Sequence, residues 1–416
     1  MVLTLCSFCS FFLLSSGDGG RAWECLIYQK GKKLLKKVKT FFVLGTRPEV
    51  IKLAPVISSL SREKEFEIKI VNTGQHRDMA GYFLQLFGLS PHYDLDVMAA
   101  KQSLFYLTSR IIKGLEGVFS QDRPDLVVVQ GDTTSAFCGA LAAFYDKINC
   151  AHVEAGLRTR EKYSPFPEEM NRVLISNLAD LHFAPTPHSR KNLLKEGIEE
   201  EKIYVTGNTI VDALFQVLEK NLPFQNEILL REIGEEENLK IITVTAHRRE
   251  NWEVGIEEVA KALRTLGERL PEIKIFFPLH PNPVVRDKII PLLSTTSQVF
   301  LLEPLNYFDF VKLLSRSTLL ISDSGGVQEE ASALGVPVLI TRDFTERPEV
   351  IEAGLGYLVG CNQNEIVSLA TKLLEEREER KSRLVFGDGQ ASSRIVQILR
   401  RFLKLDFSPF EEFTPR

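Results

Sequence analysis

The sequence predicts an α/β fold of two doubly wound domains with a cleft between them. Short apolar runs alternate with amphipathic stretches from Val38 onward, which is the pattern of βα units in parallel sheets. This alternation stops near residue 208 and resumes near residue 239. The chain of 416 residues is also too long for one ordinary core and suits two domains of about 150 to 200 residues each.

Residues 1–37 differ in composition from the rest, and we interpret them as an N-terminal extension that is disordered or dispensable for the fold. Their apolar part is about 14 residues long, whereas a membrane-spanning helix needs about 20. No Lys or Arg precedes it, so the order of charges is wrong for a secretory signal peptide. A membrane-associated segment and a structured addition are the alternatives.

The first domain is predicted to span residues 38–207. Its candidate strands are VKTFFVLG, FEIKIVNTG, DLVVVQGD, CAHVEAG, LHFAPT and KIYVTGN. Helical stretches separate them, and one, TTSAFCGALAAFY, carries small residues at helical spacing, among them Gly139 and Ala143. We therefore expect this helix to pack closely against the sheet.

Residues 208–238 are polar and predicted to form a helical connector. The second domain is predicted to span residues 239–385, and its candidate strands are KIITVTAH, IKIFFPLHP, QVFLLEPL, TLLISDSG, VPVLITRD and LGYLVG. The segment 386–416 contains one more predicted helix, SSRIVQILRRFLK, with apolar residues at helical spacing, followed by a tail.

Composition excludes several classes of partner. The net charge is −4 and a quarter of the residues are charged, so no broad basic field is present for nucleic acid or an anionic membrane. A membrane contact is expected only through residues 1–37. Cys6 and Cys9 form a C-x-x-C pair, but no second pair or nearby histidines follow at zinc-ligand spacing. No metal site is therefore expected, and a reducing cytoplasm is the expected location.

Two strand-to-helix turns predict anion binding. In LGTRPEVIK, Arg47 and Lys52 would surround a helix N-terminus, where backbone N–H groups favour an anion. A capped surface helix with solvated charges is the alternative. In ISDSGGVQEE, Gly325 and Gly326 would let backbone amides approach a diphosphate while a helix carboxylate binds ribose hydroxyls. This turn matches neither the P-loop nor the dinucleotide fingerprint, which argues against ATP hydrolysis and nicotinamide chemistry.

Acidic residues follow several strands of the first domain. Asp132 comes directly after a predicted strand, although a helix N-cap would explain it equally well. His152 and Glu154 would share one face of a strand, and His152 has a hydrogen-bonded core position as its alternative. Glu168 opens a helix after Pro167, where a carboxylate favours the positive end of the dipole.

Three polar residues of the second domain, His247, His280 and Arg347, also follow predicted strands. Ionisable groups from both domains would then converge on one cleft. Such a cleft suits an anionic substrate linked to a nucleotide.

From about Val38 to Leu403 the chain resembles the non-hydrolysing UDP-N-acetylglucosamine 2-epimerases. The motifs, in the order of that family, are GTRPEVIKLAPV, GQHRDM, GDTTSAF, HVEAGLRT, PFPEEMNR, GNTIVDAL, TAHRREN, HPNP, DSGGVQEEASALG and RDFTERPE. The resemblance implies a glycosyltransferase-B-like fold of two Rossmann-like domains, with the C-terminal helix crossing back onto the first. It also implies a homodimer without an organic cofactor that interconverts UDP-N-acetylglucosamine and UDP-N-acetylmannosamine, supplying precursors for surface polysaccharide.

The resemblance assigns roles to positions that match the family motifs. The implied catalytic residues are Asp132, Glu154, Glu168 and His247. The implied substrate-binding residues are Arg47, Lys52, His280, Tyr307, Phe310, Ser324, Gly325, Gly326, Glu330 and Arg347. Activation by UDP-N-acetylglucosamine would involve Gln75, His76, Lys101 and Gln102. Asp78 and Lys101 depart from the residues of some activated members, so activation is left open.

The implied reaction explains why several ionisable groups are needed. The C2 proton has no adjacent carbonyl, so inversion would proceed through elimination of UDP to a 2-acetamidoglucal and its re-addition. Protons must then move at both faces of C2, and we expect at least two of Asp132, Glu154 and Glu168 to do this work. The alternatives are a hydrolysing 2-epimerase, an epimerase of a modified UDP-amino sugar, a glycosyltransferase, and a sugar-nucleotide binder without catalysis.

Overall fold

The computed structural model describes residues 37–75, 77–99, 102–234, 236, 239–246, 255–376 and 382–416. Apart from its last residue, the predicted extension 1–37 lies outside these ranges. The strands are β1 (Val38–Leu44), β2 (Phe66–Asn72), β3 (Tyr93–Asp94), β4 (Leu126–Gln130), β5 (Asn149–Val153), β6 (Leu181–Ala184), β7 (Ile203–Val205), β8 (Lys240–Thr245), β9 (Ile273–Pro278), β10 (Val299–Leu302), β11 (Leu319–Ser322), β12 (Val338–Ile340) and β13 (Gly356–Leu358).

Helices separate these strands throughout the described chain. They are α1 (Arg47–Leu60), α2 (Arg77–Leu86), α3 (Leu104–Gln121), α4 (Thr134–Tyr145), α5 (Glu168–Leu178), α6 (Pro187–Lys195), α7 (Thr209–Glu219), α8 (Glu227–Glu232), α9 (Gly255–Arg269), α10 (Pro283–Leu293), α11 (Tyr307–Arg316), α12 (Gly325–Ala333), α13 (Pro348–Glu352), α14 (Gln363–Glu375) and α15 (Ala391–Phe402). None of the described helices is both long enough and apolar enough to cross a membrane.

The strands form two parallel sheets, which confirms the predicted α/β class with two doubly wound units. The first sheet has the order β3-β2-β1-β4-β5-β6-β7, and the second has the order β10-β9-β8-β11-β12-β13. The order of strands therefore reverses between β1 and β4 and again between β8 and β11. Open parallel sheets bind their ligands at such reversal points, beyond the carboxyl ends of the strands.

Every predicted strand is present, with ends that differ by a few residues. The central strands are apolar along their length because helices cover both faces of a parallel sheet; all five residues of β4 are buried. The prediction missed β3, whose two residues pair with Val71 and Asn72. Two residues are too few to show any periodicity.

Close packing of α4 against the first sheet is confirmed at Gly139. A Cβ atom on this glycine would lie 2.8 Å from Cγ1 of Val129 and 3.1 Å from Cβ of Val43. The helix can approach β1 and β4 only because the side chain is absent. Thr133 begins the helix by accepting a hydrogen bond from the amide of Ala136, at 3.0 Å.

Two segments join the sheets. The first contains α7 and α8 and leads from β7 to β8, and the second leads from residue 382 back to α15. Helix α15 lies against α1 and α7, where Asp212 accepts hydrogen bonds from the amide (2.7 Å) and hydroxyl (2.6 Å) of Ser392. Arg400 extends this contact by pairing with Glu63 at 2.5 Å. The C-terminal helix thus packs on the side of the first sheet.

Candidate active site

The site forms where the carboxyl ends of both sheets meet. Arg47 begins the helix that follows β1, and Asp132 lies two residues beyond β4, so both stand at the reversal point of the first sheet. Ser324 is the N-cap of α12, two residues beyond β11, at the reversal point of the second. The topology therefore places the predicted phosphate-binding turn opposite the predicted carboxylates.

Glu154 lies directly after β5 and is buried. Its φ of 66° is in the left-handed region, which costs a non-glycine residue on the order of 1 kcal/mol. The carboxylate accepts hydrogen bonds from Lys52 Nζ, from Gln130 Nε2 and, at 2.8 Å, from Asn208 Nδ2. Burial opposes the ionised form, but the charges of Lys52 and Arg347 outweigh it and lower the pKa of Glu154. Glu154 is thus held as an anion.

Strand β5 ends at Val153, and the backbone of Glu154 is left-handed. The prediction that His152 and Glu154 share one face of a strand is therefore wrong. His152 occupies a core position, where its Nε2 lies 2.8 Å from the carbonyl oxygen of Gly131. Burial lowers the pKa of His152 to about 3, so the ring is neutral. The hydrogen-bonded core alternative for His152 is confirmed.

Asp132 is half-buried and is paired within the first domain. Its Oδ2 accepts a hydrogen bond from Nε of Arg172 at 2.7 Å, and its carbonyl oxygen accepts one from Nδ2 of Asn171 at 2.8 Å. The N-cap of α4 is Thr133, so the N-cap alternative for Asp132 is wrong. The turn after β4 is one residue longer than a cap at Asp132 would require, so the hydroxyl of Thr133 caps the helix instead.

Glu168 begins α5 after Pro167, as predicted, and is half-buried. Its neighbour Glu169 is buried and accepts hydrogen bonds from the amides of Thr159 (3.1 Å) and Arg160 (2.8 Å). Arg172 links Glu169 to Asp132, since its Nη1 lies 3.0 Å from Oε2 of Glu169 and its Nε lies 2.7 Å from Oδ2 of Asp132. Glu169 therefore holds the loop that precedes α5, and Glu168 is the more exposed of the two carboxylates.

Helix α12 supplies the facing side of the site. A Cβ atom on Gly325 would lie 2.3 Å from Nη1 of Arg347, so only glycine admits the guanidinium next to this helix N-terminus. Glu330 is buried in the same helix and accepts a hydrogen bond from the hydroxyl of Tyr307 at 2.7 Å. Burial raises the pKa of Glu330 to about 7.

Four buried charged side chains and one buried amide join the two sheets in what we call the interdomain charge cluster: Lys52, Glu154, Glu329, Arg347 and Asn208. Glu329 accepts hydrogen bonds from Nε of Arg347 at 2.6 Å and from Nδ2 of Asn208 at 2.8 Å. Burial raises the pKa of Glu329, whereas the pKa of Lys52 is raised by Glu154 and Glu329 against the effect of burial. Two cations and two carboxylates thus balance in a region with little solvent.

The remaining predicted residues occupy several places around this centre. Arg47 stacks over the ring of Phe83, with Cζ 4.8 Å from the ring centroid. Nδ1 of His280 lies 3.2 Å from the amide of Asn282, beyond the end of β9. Phe310 is buried in the first turn of α11.

Of the four residues assigned to activation, two are described. Oε1 of Gln75 accepts hydrogen bonds from the amide (3.1 Å) and hydroxyl (2.7 Å) of Ser135, and Oε1 of Gln102 accepts one from the amide of Ala99 at 3.1 Å. His247, His76 and Lys101 lie outside the described residues. Among the described residues no cluster of three or more His, Cys, Asp or Glu side chains suits a metal ion.

Sequence reasoning missed four residues that hold the site together: Gln130, Asn208, Glu329 and Glu346. Gln130 ends β4, and Asn208 caps α7 three residues after β7, so both occupy the strand-end positions from which the other residues were chosen. Their neutral amides drew no attention because they carry no charge. Glu346, which lies 3.3 Å from Nη1 of Arg347, belongs to the motif RDFTERPE, in which only Arg347 was selected.

Known proteins of one family resemble this chain over most of its length. A family model described as UDP-N-acetylglucosamine 2-epimerase matches residues 58–400. The UDP-N-acetylglucosamine 2-epimerase of Escherichia coli (strain K12) is 43% identical over 370 residues, which cover 87% of this chain and 98% of the relative.

Solved structures match over similar lengths. The UDP-GlcNAc 2-epimerase from Neisseria meningitidis, bound to UDP-GlcNAc, superimposes with a TM-score of 0.80 at 44% identity and covers 87% of this chain and 100% of its own. The Methanocaldococcus jannaschii enzyme in complex with UDP-GlcNAc and UDP gives a TM-score of 0.74 at 36% identity, covering 87% of this chain and 99% of its own. The predicted glycosyltransferase-B-like fold is confirmed. The chain therefore belongs to the UDP-N-acetylglucosamine 2-epimerase family and is an isomerase.

Proposed function

We propose that this chain interconverts UDP-N-acetylglucosamine and UDP-N-acetylmannosamine without net hydrolysis, by eliminating UDP across C1 and C2 and adding it back. The observation that carries the proposal is the interdomain charge cluster, in which a buried, ionised Glu154 from the first sheet lies against cations and the helix α12 of the second. An ionised carboxylate and a helix end that can bind an anion thus share one site.

The UDP group would bind to the second domain. The amides at the start of α12, from Ser324 to Gly326, and the guanidinium of Arg347 would hold the diphosphate. Glu330 would accept hydrogen bonds from the ribose hydroxyls, while Tyr307 and Phe310 would lie by the uracil. From the first domain, Arg47 and Lys52 would add positive charge for the leaving oxygen.

The sugar would then lie against the carboxylates of the first domain. In the gluco isomer a carboxylate removes the C2 proton, the C–H electron pair forms the C1=C2 bond, and the C1–O pair departs with UDP. In the return step an acid gives a proton to the other face of C2 as the UDP oxygen bonds C1 again. The atoms balance with no further reactant, and one solvent proton enters at C2.

Two different groups must act because the proton leaves and returns on opposite faces of C2. Glu154 accepts hydrogen bonds from Lys52, Gln130 and Asn208, whereas Asp132 accepts one from Arg172, so the two carboxylates belong to separate hydrogen-bond networks. We therefore assign acid and base work to at least two of Asp132, Glu154 and Glu168, with His247 assisting the departure of UDP. No pair among them is singled out as acid and base.

The family resemblance extends the proposal to the cellular setting. The chain would act as a homodimer without an organic cofactor, in the cytoplasm, and its product would supply a surface polysaccharide. Activation by UDP-N-acetylglucosamine through Gln75, His76, Lys101 and Gln102 belongs to the same extension. Strictly hyperbolic kinetics with UDP-N-acetylglucosamine would contradict activation.

The test is incubation of the purified chain with UDP-N-acetylglucosamine in deuterated buffer, followed by NMR. We expect a manno isomer carrying deuterium at C2, with UDP attached. Product without deuterium at C2 would contradict the elimination route. Free UDP together with free N-acetylmannosamine would instead indicate the hydrolysing alternative.

Three amide variants test the acid and base roles: Asp132→Asn, Glu154→Gln and Glu168→Gln. At least two should lose exchange at C2 by about 100-fold or more. The matched control is Glu116→Gln, which removes a carboxylate from an exposed pair with Lys113. Full exchange in all three variants would overturn the assignment.

A further inference from the structure

The two segments that join the domains meet at Asn208. The amide N–H of Asn208 donates a hydrogen bond to the carbonyl oxygen of Phe386 at 2.6 Å. A Cβ atom on Gly387 would lie 3.2 Å from the carbonyl oxygen of Asn208 and 3.3 Å from its nitrogen. One segment leads from the first sheet to the second and the other leads back, so both connections between the sheets touch at Asn208.

The side-chain amide of Asn208 uses both of its hydrogens and its oxygen in hydrogen bonds. Its Oδ1 accepts a hydrogen bond from the amide of Ile210 at 3.2 Å, which caps α7. Its Nδ2 has two hydrogens and donates to Oε1 of Glu154 and to Oε2 of Glu329, each at 2.8 Å. Glu154 follows a strand of the first sheet, whereas Glu329 belongs to a helix of the second.

A neutral primary amide is the chemical group that suits this position. Two carboxylates close enough to share one nitrogen repel each other, and burial, together with the charge of Glu154, raises the pKa of Glu329. An aspartate at 208 would add a third negative charge, and a serine hydroxyl has one hydrogen and a shorter reach. Asparagine alone among these three caps the helix and donates to both carboxylates.

We propose that Asn208 is a positioning residue that ties the orientation of the catalytic carboxylate of Glu154 to the placement of the second domain. The inference rests on the proposed function for its catalytic consequence. A rotation of the second domain moves Glu329 relative to the amide of Asn208, and the same amide holds Glu154. Glu154 therefore takes its reactive orientation only when Glu329 is in place.

The first test is Asn208→Ser, which keeps an N-cap of equal rank but cannot bridge the two carboxylates. Hydrogen bonds to charged groups contribute enough that we expect kcat to fall about 10- to 100-fold. KM for UDP-N-acetylglucosamine should change by less than about threefold, because Asn208 does not lie among the residues proposed to bind UDP. The acid limb of the kcat–pH profile should move to higher pH, since Glu154 loses a donor that stabilises its anion.

The matched control is Asn362→Ser in the second domain. Asn362 caps α14 by accepting hydrogen bonds from the amides of Asn364 (3.0 Å) and Glu365 (3.2 Å), and it lies outside the site. This variant should keep the wild-type kcat and pH profile. A purely structural role for Asn208 predicts that both serine variants lose the same stability and neither shifts the pH profile, which would overturn the proposal.

A second variant and a second readout keep the proposal testable if serine impairs folding. Asn208→Asp is isosteric and still caps α7, but it places a third carboxylate beside Glu154 and Glu329, so we expect it to lose more activity than Asn208→Ser. Amide hydrogen exchange of residues 325–330 should accelerate in both variants if the bridge holds the domains together. If amide hydrogen exchange accelerates in the variants but the wild-type chain has no epimerase activity, the proposed function is refuted and the bridge is not. If both the exchange and kcat are unchanged in the variants, the bridge is refuted.

Discussion

Two ion pairs lie at neighbouring strand ends of the first sheet: Lys52 with Glu154, and Arg172 with Asp132. They differ in burial and in whether their contacts extend to the second domain. The Glu154 side chain is 6% exposed and joins a cluster that extends to the second domain, whereas the Asp132 side chain is 26% exposed and is bonded within the first. Ion pairs that are buried cost much more to break than those with access to water. The two carboxylates should therefore respond differently to the same chemical change.

The largest effect is expected for Glu154→Gln. The change leaves Lys52 buried without its nearest anion, and breaking such a pair costs about 3 to 5 kcal/mol of unfolding free energy. Loss of an acid or base group should also lower kcat about 100- to 10,000-fold. Urea unfolding and the deuterium assay measure the two losses. If stability is unchanged, the cluster does not hold the domains together as the geometry indicates.

Asp132→Asn should separate activity from stability. Arg172 keeps its contact with Glu169, so the free energy of unfolding should fall by less than about 1 kcal/mol. The value of kcat should still fall about 100-fold. A loss of several kcal/mol in urea unfolding would contradict the difference between the two pairs. The exposed control Glu116→Gln should leave both quantities unchanged.

The smallest effect concerns the core behind Glu154, where His182 lies beside His152 in the sheet. Burial lowers the pKa of His182 to about 4, from about 6.5 in an unfolded chain. His182 binds a proton more readily in the unfolded chain than in the folded one. Its contribution to the free energy of unfolding is therefore fully present above about pH 6.5 and is lost as the pH falls towards 4. For His182 this loss is about 2 kcal/mol at pH 5.

His182→Leu should remove this part of the acid sensitivity without changing kcat at pH 7. The comparison is the difference in unfolding free energy between pH 7 and pH 5, measured in urea for both proteins. Burial raises the pKa of Glu49 to about 7, which shifts stability in the opposite direction over the same range. Glu49 is present in both proteins, so the contrast isolates His182. An equal pH dependence would show that His182 is not a buried neutral group.

The positions of the strands and most of the site were predictable because both follow from local pattern. Parallel strands covered on both faces are apolar along their length, as in β1 and β4, and polar residues that follow them lie at one edge of the sheet. Asp132, Glu154 and Ser324 could be found in this way. The two-residue strand β3 could not, because its pairing with β2 depends on contacts and not on periodicity.

Other features of the site depended on the path of the chain in space. The capping residue of α4 was placed one residue too early, since a one-residue difference in a turn leaves no trace in composition. The strand alternation assumed for Glu154 failed because its backbone is left-handed, held there by three donors from distant segments. Gln130 and Asn208 were overlooked because a neutral amide acquires importance only beside a buried charge.

The sequence by itself determined the two alternating halves, the turn at Gly325 and the acidic residues at strand ends, because each depends on neighbours close along the chain. Only the tertiary structure decided that the ion pairs Lys52–Glu154 and Arg347–Glu329 lie side by side, with the amide of Asn208 donating to both carboxylates. The physical reason is that charges interact strongly where water is excluded, and water is excluded there only after two sheets, far apart in sequence, have packed together.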